Sequence, residues 1–104
     1  MNVIARNLTA LSEIARFFES AGFDEMQTGG HGEAYVLAGQ DGRQLVVTDA
    51  DGMDLPTSPV DGLAITIYPS EDELFNGPGD GEVHQSIDSL DELKAIVNGW
   101  VAKL

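Results

Sequence analysis

The sequence predicts a small two-layer α+β domain in the order helix, three- or four-stranded antiparallel sheet, helix, with both helices on one sheet face. Three observations predict it. An amphipathic helical stripe opens the chain, a capped amphipathic helix closes it, and between them lie short β-patterned runs whose connections suit antiparallel neighbours. At 104 residues and 42% hydrophobic content, residues 1–104 suit one domain with a single core.

The first helix rests on Ile4, Leu8, Leu11, Ala15 and Phe18, which recur at steps of four, three, four and three. That spacing lays them along one stripe, widened by Ile14 and Phe17, with Ser12, Glu13, Arg16, Glu19 and Ser20 opposite. Asn2 or Asn7 can cap its start, giving a span of about 7–21 or one beginning nearer residue 3. Gly22 followed by Phe23 reads as a left-handed stop with its hydrophobic contact.

A hairpin follows. Ala34 to Ala38 is an apolar run, Gly39-Gln-Asp-Gly42 supplies turn residues, and Gln44 to Thr48 returns. In "GLAITIYP", Leu63, Ile65 and Ile67 alternate with Ala64, Thr66 and Tyr68, the period of a half-buried strand ending at Pro69. Residues 70–82, rich in acids, Gly and Pro, read as a surface loop, and a short fourth strand fits Glu82 to Ile87. Ser89-Leu-Asp-Glu92 matches a capping box. It opens a helix whose buried stripe is Leu90, Leu93, Val97, Trp100 and Leu104, with Ile96 and Val101 alongside. Gly99 costs that helix about 1 kcal/mol relative to Ala, which a close packing neighbour would explain. With both helices on one face, the other face is expected to be wet.

Charge is the most informative property for function. Five basic residues stand against 18 acidic ones, a formal net charge of −13. The block from Gln44 to Leu93 holds 12 of those acids and no Lys or Arg. Direct binding to nucleic acid or to an anionic membrane is excluded by repulsion. No cysteine is present, so disulfides and thiolate metal sites are excluded. No apolar run approaches the roughly 20 residues of a membrane span, and the start lacks the pattern of a secretory signal. These features suit a cytoplasmic protein.

No catalytic or cofactor motif is found. An EF-hand loop begun at Asp49 meets Met53 and Asp54 where it needs an oxygen ligand and Gly, and Val60 where it needs Glu. "GGHGE", Gly29 to Glu33, resembles the start of a calcium-binding β-roll repeat, but one copy cannot close such a fold. His31 and His84 lack zinc-site spacing. No serine lies in a GxSxG elbow, and Asp72 and Glu73 sit in a solvated loop that would not raise a carboxyl pKa for acid–base work. We therefore expect a protein that is not an enzyme and needs no cofactor or metal.

The remaining question is the purpose of "TDADGMDLPTSPVDG", Thr48 to Gly62, with four aspartates and no base. An ordinary soluble domain carries a net charge of about 2 to 8 in magnitude. A larger one costs stability through self-repulsion, and a positive partner relieves that cost. The acid-biased composition of a halophile is the alternative explanation. The sequence thus points to a lure for cations, with carboxylates standing where phosphates would sit in the basic groove of a nucleic-acid-handling protein. The residues expected at this surface are Asp49, Asp51, Asp54, Asp61, Glu71, Asp72, Glu73, Asp80 and Glu82. Phe75 is the candidate apolar anchor, and Asp49 and Asp51 are expected on one face of extended backbone. Phage anti-defence proteins, such as anti-CRISPR and anti-restriction inhibitors, work in this way. An immunity protein neutralising a toxin is the first alternative. A dimeric, secretion-chaperone-like adaptor is the second, so both monomer and homodimer are compatible with the sequence.

Overall fold

The computed structural model describes residues 13–27, 32–70 and 79–104. Residues 13–20 are helical (α1). Then follow β1 (Asp24–Gln27), β2 (Glu33–Ala38), β3 (Gln44–Thr48), a 3-10 turn (Pro59–Asp61), β4 (Leu63–Tyr68), β5 (Asp80–His84) and α2 (Leu90–Val101). The strands form one antiparallel five-stranded meander in the order β1-β2-β3-β4-β5. The class is α+β, as expected, but the sheet has more strands than the predicted three or four. The additional strand is β1, "DEMQ", whose residues are all exposed. A strand with no buried position carries no period-2 apolar signal.

α1 ends as its sequence requires. Gly22 has φ 95°, a conformation that costs glycine nothing. Its N–H donates to Glu19 O at 3.0 Å, and Phe23 N–H donates to Phe18 O at 2.9 Å. These two bonds close a Schellman motif. The Phe18 and Phe23 rings complete it edge-to-face, with centroids 5.1 Å apart. The predicted caps Asn2 and Asn7, and the stripe residues Ile4, Leu8 and Leu11, lie outside the described residues. α2 starts where the capping box places it, with Ser89 Oγ accepting Glu92 N–H at 3.1 Å.

Both helices contribute to one core on one sheet face. Ile14 and Phe18 of α1 and Leu93, Val97 and Trp100 of α2 meet Tyr35, Leu45, Val47, Leu63 and Ile65 of the sheet. Each fully buried Leu, Ile or Phe in it contributes about 1.5–3 kcal/mol. The alternation predicted for β4 is observed: Leu63 and Ile65 are buried and Ile67 packs against the core.

Three details differ from expectation. The second sheet face is not wet at its centre, because Ala34, Val36 and Val46 are buried there with Tyr68 against them. β2 and β3 are apolar at successive positions, the pattern of strands covered on both faces. β5 runs from Asp80 to His84 rather than from Glu82 to Ile87, since its ladder begins where Asp80 pairs with Ile67. Gly99 has no close neighbour: a Cβ built there meets nothing within 4 Å.

Candidate functional site at the acidic end of the sheet

In an antiparallel meander the connections alternate between the two ends of the sheet. The β3–β4 connection (49–62), the start of β2 and the β5–α2 connection (85–89) therefore share one end. Hydrogen bonds tie them together. Glu33 N–H donates to Met53 O at 2.9 Å, and Ile87 N–H donates to Pro59 O at 2.9 Å. Gly62, at φ 72°, passes so close to β5 that a Cβ would collide with the His84 carbonyl. Buried Pro56 and part-buried Leu55 hold the connection to the body of the protein.

The aspartates divide into structural and free groups. Asp49 N–H donates to Asp54 O at 2.8 Å, and Asp49 Oδ1 accepts Met53 N–H at 3.2 Å. The segment is therefore a tight turn, not the extended backbone that would place Asp49 and Asp51 side by side. The short carboxylate of Asp49 competes successfully for nearby backbone donors. Asp51 and Asp54 are exposed, and so is Asp61, whose Oδ2 accepts a bond from Thr57 Oγ1 at 3.1 Å.

Other acids join them at this end. Glu33 opens β2, Asp88 precedes α2, and Asp91 and Glu92 occupy the first turn of α2, where the helix dipole favours negative charge. Sequence reasoning missed these four as members of the surface. The hairpin readings contained the signal, because they already fix which strand ends lie together. Among the described residues no Lys or Arg stands in these connections. Arg43 lies in the β2–β3 turn and Lys103 beyond α2 at the opposite end, while Arg16 and Lys94 line a groove between the helices.

Two apolar side chains stand exposed among the carboxylates, Met53 at 60% and Val60 at 68% of full exposure. Phe75, Glu71, Asp72 and Glu73 lie outside the described residues.

Asp80 and Glu82 do not join this surface. Asp80 pairs with Ile67 whereas Thr48 pairs with Ala64, so Asp80 sits about 10 Å further along β4, at the other end of the sheet. Glu82 faces the helices. Its Oε1 accepts Trp100 Nε1–H at 2.7 Å, and His84 Nε2, buried without a hydrogen-bond partner, lies 3.1 Å from that oxygen. The Trp100 bond, and secondarily His84, hold the Glu82 carboxyl below its usual pKa. Asp41 is likewise lowered, chiefly by the Arg43 hydrogen bond.

Among the described residues no cluster of His, Asp and Glu is arranged to hold a metal ion, and no helix is long and apolar enough to cross a membrane. No family model, curated protein or solved structure matches the chain.

Proposed function

We propose that this is a non-enzymatic inhibitor that lays the acidic end of its sheet into the basic groove of a nucleic-acid-handling protein. One observation carries the reading: Met53 and Val60 stand exposed among Asp51, Asp54 and Asp61 on a single hydrogen-bonded connection. A protein interface concentrates its affinity in a few apolar anchors, ringed by groups that give orientation and rate. Carboxylates supply the second part by steering a cationic surface inward. No Lys or Arg stands in residues 49–62 or 85–89 to offset that field locally. A phage anti-defence inhibitor acting in the cytoplasm is the setting that this chemistry suits best.

The test is capture. The wild-type protein, immobilised, retains a basic protein from host extract, and added duplex DNA or RNA releases it. The D51K/D54K/D61K variant retains nothing. Capture that nucleic acid does not disturb, or that survives the triple reversal, contradicts the proposal.

Met53 and Val60 also favour a second reading, an immunity protein that plugs a toxin chiefly through apolar contact. In that case M53S/V60S abolishes binding, while raised salt weakens it only slightly.

A further inference from the structure

The groove between α1 and the edge strand β1 has a different character from the acidic end. It encloses about 270 Å³ and is lined by Ala15, Glu19, Phe23, Asp24, Glu25 and Tyr35. Tyr35 forms its inner wall. The residue is 5% exposed and its ring stacks on Phe18 at 4.2 Å. A group placed in the groove therefore meets the Tyr35 side chain.

The charges around it identify that group. Glu19 comes from α1, Glu25 from β1 and Glu33 from the start of β2, and none has a cationic partner among the described residues. Their combined field, added to the larger effect of burial, raises the Tyr35 pKa, so the phenol stays neutral. A neutral phenol oxygen with carboxylates around it accepts hydrogen bonds from an ammonium or guanidinium group. The apolar stem of a lysine or arginine matches Phe23 and Ala15.

The backbone supplies the remainder. Among the described residues β1 is an edge of the sheet, paired on one side only with β2, and an edge strand's outer N–H and C=O groups can pair with another strand. The other edge is guarded differently, since Glu82 of β5 is an inward-facing charge engaged by Trp100. A second copy of this chain is a poor occupant for β1, because Asp24 and Glu25 would face their own like charges.

We propose that the β1 edge accepts an extended lysine- or arginine-bearing segment of a basic protein as a sixth strand, with one basic side chain seated on Tyr35 between Glu19 and Glu25. The proposal rests on the partner being basic but uses α1 and the β1 edge, not the 49–62 connection.

A synthetic peptide of seven residues alternating lysine and threonine tests it, read by amide hydrogen exchange and chemical shifts of the isotope-labelled protein. Binding slows exchange at outward-facing amides of residues 24–27 by at least tenfold. Tyr35→Phe and E19K/E25K both weaken binding, and D51K/D54K/D61K leaves it intact, which separates this surface from the one proposed above. A peptide of the same charge with alternate backbone nitrogens methylated fails to bind. Equal binding by the methylated peptide, or shifts confined to residues 49–62, overturns the proposal.

Discussion

Trp100 Nε1–H donates to Glu82 Oε1 at 2.7 Å, joining the last turn of α2 to the edge strand β5. The indole is 8% exposed, so its N–H needs a partner, and the carboxylate on β5 supplies one. Lys103 Nζ lies 4.1 Å from the ring centroid on the same side chain. An acid that the sequence assigns to the partner surface is therefore engaged by an intramolecular hydrogen bond, although its side chain stays half-exposed.

This bond makes a pH prediction. The folded-state pKa of Glu82 is depressed, first by Trp100 and then by His84. Its stabilising contribution is full above the ordinary pKa of a glutamate in the unfolded chain. It is lost as pH falls through the lowered folded value. Trp100→Phe keeps most of the packing and removes the donor. A carboxyl NMR titration will show the Glu82 midpoint moving up in that variant, and an unchanged midpoint would show that the hydrogen bond is not its cause.

Gly62 is expected to be irreplaceable. At φ 72° and ψ −169°, with the His84 carbonyl in the path of any Cβ, Gly62→Ala combines backbone strain with a collision. The loss is more than about 2 kcal/mol by urea denaturation. It will also detach the acidic connection from β5, seen as faster amide exchange at Ile87, whose N–H is bound to Pro59 O.

Gly99 is the opposite case. It is exposed within α2 with open space where a side chain would go. Gly99→Ala should stabilise the protein by about 0.5–1 kcal/mol, seen as a higher denaturation midpoint with an unchanged m-value. A destabilised variant would mean that the glycine serves a contact made only with a partner.

The elements legible in the sequence were those whose signal is local or periodic. Ser89 and Glu92 announce α2, Gly22 and Phe23 announce the end of α1, and Leu63, Ile65 and Ile67 announce β4. β1 was illegible because pairing with β2, not a buried face, makes Asp24–Gln27 a strand. The acidic site was legible in part. Asp51, Asp54 and Asp61 stand at one exposed connection, but charge density along the chain could not separate them from Asp80, at the far end, or Glu82, turned inward. Met53 and Val60 escaped notice because their exposure, the property that singles them out, is not written in residue type.

The central claim is that carboxylates at one end of the sheet stand in for phosphates. It is tested most directly by the salt dependence of affinity for the captured partner, measured by calorimetry for wild type and for D51K/D54K/D61K. The account predicts wild-type affinity that falls steeply between low and physiological ionic strength, and a reversed variant whose residual binding is weak and nearly insensitive to salt. Wild-type affinity that is independent of salt, or a reversed variant that binds as tightly as wild type, would contradict it.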